Sequence, residues 1–282
     1  MTERGAYGPA LLDAQDYRLR QSFRYDYDGP VHDLVHRLVV VPPTRHGDQR
    51  LLLGSVEVSD PAATLTWHDD VHGNRHCVVR LADVPRRLEL LVNVAVRRSG
   101  DARLLPPGAL SAMLAPTDLT RPDARLRALA RQHGGGDPLE AADRLCTLVQ
   151  RALAYTPGVT TVRTTAAQAL ALGAGVCQDH AHVMLALCRA AGIAARYVSG
   201  HLVGQGGTHA WVEILVPGPR GVRVVALDPC HGRRADRGYV TVAVGRDYRD
   251  VPPTSGWYSG SARGVLTGER VLTSRDAQLL AA

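Results

Sequence analysis

The chain has 282 residues, 45% hydrophobic and 21% charged, a balance typical of a soluble globular protein with one large or two ordinary domains. Its net charge is +6, and all 33 basic residues are arginine; they occur in pairs at most (Arg86-Arg87, Arg97-Arg98, Arg233-Arg234) with acids between them. Nucleic-acid surfaces need a clustered basic stripe, so no nucleic-acid partner is expected.

The five cysteines contain no CxxC pair, which argues against a disulfide framework or a structural zinc knuckle. No apolar run reaches the roughly 18 residues of a membrane span. The first residues, MTERGAYGPALLDAQDYRLRQ, contain no apolar h-region, so no signal peptide and no membrane partner are expected, and the expected location is cytoplasmic.

The first hundred residues read as strands. Residues 17–28 (YRLRQSFRYDYD) alternate, 34–43 form an apolar run stopped by Pro42-Pro43, and 49–60, 63–70, 75–83 and 87–98 follow at hairpin spacing. Turn-forming stretches (RHGD, SDPA, DVHGN, ADVP) separate them. The cluster HDDVHGNRH (68–76) offers His72 and His76, but on a hairpin that spacing does not bring two imidazoles to one face; a solvated turn is expected. Residues 99–110 (SGDARLLPPGAL) read as a linker.

Beyond it the period changes. Residues 121–136 predict a helix ended by glycines. Residues 137–155 predict a second, with Asp137 as N-cap, Pro138 at the first helical position, and a stripe of Leu139, Leu145, Leu148, Val149 and Leu153. Cys146, near that stripe, reads as core. A third helix over 165–172 leads into GVCQDH (175–180), and a fourth runs over 177–192 to a glycine stop. Segments 194–204, 208–217 and 222–229 read as strands, so a cysteine-bearing helix precedes an antiparallel meander, an α+β arrangement.

Cys177 falls in the first turn of its helix, where unpaired N–H groups and the macrodipole favour a thiolate. Gly175 suits a sharp turn there and a close approach of substrate backbone. Cys188, eleven residues on in the apolar part of the same helix, reads as core. A thiolate nucleophile needs a base and a group that orients it. If the last two strands form a hairpin centred on residue 219, residue i faces roughly residue 438 minus i. His209 then faces position 229, beside Asp228, and a shift of one pairs them directly. Taken singly, a helix-start cysteine, a strand histidine and an Asp before Pro each fit a structural role; together, in register, they predict a Cys177–His209–Asp228 triad.

GAGVCQDHAHVMLALCRAAGIAARYVSGHLVG, THAWVEILVPG and VVALDPCHG, in that order, strongly resemble the core of the transglutaminase-like superfamily, and YVTVAVGRDYRDVPPTSG (239–256) resembles its bacterial subgroup. The resemblance implies a papain-like α+β transglutaminase core, its nucleophile helix packed on an antiparallel sheet, preceded by an N-terminal β-sandwich-like domain. The expected division is 1–105 for the β-rich domain and 106–282 for the catalytic one. It also implies acyl transfer through a Cys177 thioester, with His209 as base and then acid and the Cys177 N–H as an oxyanion donor.

Around the triad, Gln178 and Asp179 are placed at the helix lead-in, where Asp179 fits an ordinary first-turn acid equally well. His182 either contacts the site or packs the helix. Trp211, on the strand face of His209, walls the cleft or fills the core. Tyr155 is a cleft residue on resemblance alone, and Cys230 is given no chemistry.

No calcium loop of the DxDxDG type is visible, and no metal or cofactor is expected. The expected substrate is a peptide-like amide or a thioester, with water, an amine or a carrier protein as the other partner. Hydrolysis, amide formation from a carrier-bound acyl chain, a zinc site drawn from His180, His182, His201, His209 or Cys230-His231, and a non-enzymatic binding module all stay open, as does oligomeric state.

Overall fold

The structure, a computed structural model, describes residues 14–99, 104–105 and 110–274. Residues 1–13 of the stretch read for a signal peptide and most of the expected linker lie outside them. Seven strands come first: β1 Gln15–Tyr27, β2 Val31–Val41, β3 Arg45–His46, β4 Gln49–Val58, β5 Thr64–Asp69, β6 Arg75–Val84 and β7 Arg87–Arg98. Alternation is strict where the sequence shows it. Leu88, Leu90, Val92, Val94 and Val96 of β7 are buried, as are Tyr17, Leu19, Phe23 and Tyr25 of β1, while Arg18, Arg20 and Arg24 stay exposed. These faces meet Val31, Leu34, Leu38, Cys77, Val79 and Leu81 of β2 and β6 to form a sandwich core.

The second region begins with α1 Leu110–Leu114, α2 Ala124–His133 and α3 Pro138–Ala152. Asp137 caps α3, accepting from the N–H groups of Leu139 and Glu140. Next come β8 Ala154–Tyr155, α4 Ala166–Leu172, β9 Ala174–Gly175 and α5 Cys177–Ala190, then β10 Ala195–Leu202, β11 His209–Gly218, β12 Gly221–Asp228, β13 Arg233–Arg234 and β14 Tyr239–Gly245. The last five form one antiparallel sheet in the order β13-β12-β11-β10-β14. Helix α5 is buried on all sides from Gln178 to Arg189, as a central helix must be, with Ala210, Val212 and Ile214 of β11 in its core. Cys146 and Cys188 lie in that core, and burial pushes both thiols up to about 12.

The division at residue 105 needs correction. Strands β15 Thr254–Ser259, β16 Gly264–Thr267 and β17 Arg270–Ser274 return to the sandwich: β15 pairs with β2, and β16 and β17 pair with successive stretches of β1. An edge strand leaves backbone donors and acceptors that another segment can satisfy, and the C-terminal segment does so here. Leu105 crosses the other way, bridging to Val222 of β12.

The two regions are locked by side chains that imitate a strand. Strand β14 is at the edge of its sheet. The Gln49 amide donates to the Thr241 carbonyl (2.7 Å) and accepts from the Thr241 N–H (3.0 Å). Asn74 does the same to Val244 (2.7 and 2.8 Å), and Arg98 donates to the Tyr239 carbonyl. The 68–76 turn is therefore not simply solvated. Asp70 accepts from the backbone of His72 and Asn74 and from the Asn74 amide, holding a buried Asn74 against β14.

Candidate active site

Cys177 is the first residue of α5, and the local sequence explains why the helix starts there. Thr165 and Gln168 cap α4 reciprocally, and Gly173 ends it in the left-handed conformation. The chain then pairs in parallel with β8, placing Tyr155 opposite Gly175, before α5 begins. Asp179 reaches back to the Val176 N–H (2.8 Å) and also accepts from the Thr160 hydroxyl (2.7 Å), tying the 156–164 loop to the start of α5. Gly175 makes room for that carboxylate: a Cβ there would sit 2.6 Å from Asp179 Oδ2. The glycine thus accommodates Asp179 at the sharp turn into α5, the first of the two roles expected of it.

The hairpin register also differs from expectation. A two-residue turn, Pro219-Arg220, joins β11 to β12, and the pairs run from Gly218↔Gly221 to Val212↔Leu227. Each partner lies one residue further along than a centre at 219 implies. Continued, this register sets Asp228 opposite Trp211, so His209 is its diagonal neighbour on the same face, still within reach of a long side chain. His209 Nε2 and Asp228 Oδ2 are 2.7 Å apart. Cys177, at the start of α5, lies close enough to His209 to act on it electrostatically.

Asp228 is fully buried and its charge is heavily compensated. Oδ2 receives His209 Nε2, His231 Nδ1 and the Tyr239 hydroxyl, each at 2.7 Å. Oδ1 accepts the backbone N–H groups of Cys230 (2.8 Å) and His231 (3.3 Å). Burial opposes the charge, but these bonds overcome it and hold the carboxyl well below the usual carboxylate range. For His209, burial works against protonation, yet the bonds to Asp228 and Cys177 and their charges raise it to about 9. The arrangement suits an imidazolium beside a thiolate.

The supporting residues divide. Trp211 is buried and stacks on His209 (centroids 6.1 Å apart), with Tyr239 edge-on to it at 5.3 Å, so it packs the imidazole from behind. Gly200, paired with His209 across the sheet, leaves space for that indole; a Cβ there would meet it at 2.5 Å. Tyr155 is 59% exposed at the lead-in to the nucleophile, electrostatically coupled to Cys177 and Cys230. Gln178 is buried in the first turn of α5. His182 does not join the site. It is fully buried, accepts from the Tyr248 N–H (3.2 Å) and packs on Tyr197, and burial, with Arg189 and Arg249 nearby, lowers it to about 3.

Cys230 stands near the site, but burial first, then Asp228 and Cys177, drive its thiol upward and keep it protonated. The sequence reading missed His231 as a partner of Asp228 and Tyr239 as its third donor. The i,i+3 spacing of Asp228 and His231 was visible; nothing in the sequence pointed to Tyr239. His209, Asp228 and His231 also present three ligand-type atoms within 4.8 Å of one another. Both histidine–carboxylate separations are 2.7 Å, typical of hydrogen bonds, whereas ligands around a tetrahedral zinc keep about 3.3 Å between them.

Two family profiles match this architecture: the transglutaminase-like superfamily over residues 127–229 and the bacterial transglutaminase-like N-terminal region over 17–97. The first ends just past Asp228 and spans Cys177, His209 and Asp228. The chain belongs to the transglutaminase-like superfamily. A solved structure of a candidate cysteine protease from Cytophaga hutchinsonii shares the fold, with a TM-score of 0.77 and 21% identity over 94% of this chain and 92% of that one.

Among curated relatives, the uncharacterized protein ML0607 of Mycobacterium leprae is 36% identical over 162 residues, 52% of this chain and 55% of its own length. The uncharacterized protein Rv2569c of Mycobacterium tuberculosis is 36% identical over 141 residues, 45% of each. The chain thus spans about half the length of the curated relatives it matches.

Proposed function

We propose that this transglutaminase-like protein carries out thiol-dependent acyl transfer or hydrolysis at amide bonds of a peptide-like substrate. The observation that carries the reading is His209, bonded to Asp228 at 2.7 Å and lying close to Cys177 at a helix start. Cys177 Sγ attacks the carbonyl carbon. The charge gathering on the carbonyl oxygen meets first-turn backbone N–H groups of α5, which have no helical acceptor, Cys177's own among them. His209 then passes its proton to the leaving nitrogen, the C–N bond breaks, and a thioester remains on Cys177. Water or an amine, deprotonated by His209, attacks the thioester and restores the thiolate. Asp228 holds the imidazole in orientation and stabilises its charged form throughout.

A thioester donor enters this cycle equally well, since its carbonyl presents the same face to the nucleophile. An amide-forming acyltransferase fed by a carrier protein is therefore the second reading.

The test uses intact-mass analysis of the full chain with peptide amides, with acyl thioesters and with cell extract. The expected result is an acyl adduct localised to Cys177, discharged by water or amine and absent in Cys177→Ala. Turnover that survives Cys177→Ala, with no preferential alkylation of Cys177 by iodoacetamide, overturns the reading. An adduct from thioesters alone selects the second.

A further inference from the structure

We propose that His231 is a positioning residue of this centre: it shares the Asp228 Oδ2 with His209, and its own protonation sets how fully that carboxylate supports the His209 imidazolium. The inference rests on the triad reading above and extends it to a residue outside the triad.

The geometry is symmetrical where the chemistry needs it. His231 Nδ1 and His209 Nε2 both lie 2.7 Å from the same oxygen, and the two rings are 5.4 Å apart between centroids. His231 is held there by its chain position: Asp228 Oδ1 accepts the N–H groups of Cys230 and His231, folding the turn back on the carboxylate. Access to water is not symmetrical. The side chain of His231 is 36% exposed, against 3% for His209 and none for Asp228. His231 is thus the solvent-facing member of an otherwise closed set.

Its outer nitrogen, Nε2, lies 3.3 Å from the Gln205 side-chain amide nitrogen. An amide N–H donates, so Nε2 accepts and the ring's proton sits on Nδ1, pointing at Asp228. In this neutral form His231 adds a hydrogen bond to the carboxylate and no charge.

Protonation at Nε2 brings a second cation to a carboxylate that His209 already neutralises. The other groups facing this pocket do not relieve the excess. Tyr239 donates from β14, with the Arg233 guanidinium 5.6 Å from its ring centroid. Cys146 from α3 and Cys230 from the turn stay protonated, so neither adds an anion. The two imidazoles therefore take up protons in opposition. While His209 holds its proton, His231 is neutral. When His209 gives that proton to the leaving nitrogen, His231 takes one from solvent through Nε2 and returns it when His209 is reprotonated.

The experiment follows the rate of Cys177 alkylation by iodoacetamide between pH 4 and 9 in the full-length chain, the modified residue being identified by mass. It needs no knowledge of the substrate. Wild type is expected to lose reactivity towards acid in two steps. His231→Asn keeps an N–H donor for Asp228 but cannot titrate, so its profile collapses to one step with the plateau within about three-fold of wild type. His231→Ala also gives one step, with a plateau about ten-fold lower for the loss of one charge-assisted bond. Gln205→Ala, which touches neither Asp228 nor the triad, moves the extra step to higher pH by removing the donor that favours neutral His231.

A His231→Asn profile that superimposes on wild type overturns the proposal and leaves the triad standing. Failure to alkylate Cys177 in preference to the other cysteines overturns the triad itself.

Discussion

The sandwich and the β10–β14 sheet are both antiparallel β-structure, yet they bury opposite kinds of side chain. Between its sheets the sandwich packs chiefly apolar side chains, Phe23, Leu38, Leu88 and Val92 among them, while the arginines of β1 stay in solvent. The β10–β14 sheet encloses His209, Asp228, Arg196, Glu213 and Thr241 as well as its apolar residues. Apolar burial is additive and tolerant, since each methylene contributes roughly 0.8 kcal/mol whichever neighbour it meets. A buried charge is all or none: its desolvation costs several kcal/mol unless a partner in good geometry offsets it. The sandwich should therefore lose stability in small steps, and the β10–β14 sheet should fail at single residues.

The largest expected effect is on activity rather than stability, at Cys177, the proposed nucleophile. Cys177→Ala is expected to lower turnover of any substrate found in the adduct screen by about 10⁴-fold or more, with thermal unfolding little changed. Asp228→Asn should follow, at about 10²–10⁴-fold, because an amide cannot carry the charge that stabilises the imidazolium.

The pH dependence carries the same signature from both partners. His209 is raised to about 9, so its contribution is complete below about 6.5 and is lost as pH rises through 9. Asp228 is depressed, so its contribution is present above the ordinary value near 3.9 and is lost as pH falls below it. Urea unfolding of wild type should show both flanks, and His209→Asn should flatten the alkaline one.

Next in size is the buried ion pair. Arg196 and Glu213 face each other on β10 and β11 at 2.6 Å, with His46 from the sandwich 2.7 Å from the other carboxylate oxygen. Arg196→Met should cost about 3–5 kcal/mol in chemical unfolding, whereas Val92→Ala in the sandwich should cost only about 2–3. Equal losses would erase the contrast.

At the junction, Gln49→Ala should cost about 1–3 kcal/mol by stranding the Thr241 amide and carbonyl at a buried edge. Smallest is Asp83→Asn, which removes the exposed partner of His32 and should change unfolding by less than about 0.5 kcal/mol.

How much of this was legible depended on the range of the signal. Strands β1 and β7 announced themselves because alternate residues must face opposite sides of a sheet. Helix α5 was readable from Gly175 to its glycine stop, since its turn and apolar run are local. The order of Cys177, His209 and Asp228 was legible too, though their meeting depended on a hairpin whose register was off by one residue. That error mattered little, because a diagonal neighbour on the same face still reaches. His182 and His209 looked alike as residues in a helix and a strand. What separates them is their surroundings: Tyr197 and Tyr248 around the first, a carboxylate beside the second.

The amino-acid sequence by itself determined the element order, the α+β class and the family motifs, because propensity, periodicity and capping act within a few residues of one another. Only the tertiary structure decided that β15–β17 return to the sandwich, that Gln49 and Asn74 close the edge of β14, and that His231 and Tyr239 converge on Asp228. Gln49 and Thr241 are 192 residues apart, and Asn74 and Val244 are 170. Contacts over such separations leave no periodic trace; they follow from the need to satisfy each buried donor and acceptor, and that need is defined only once the sheets have packed.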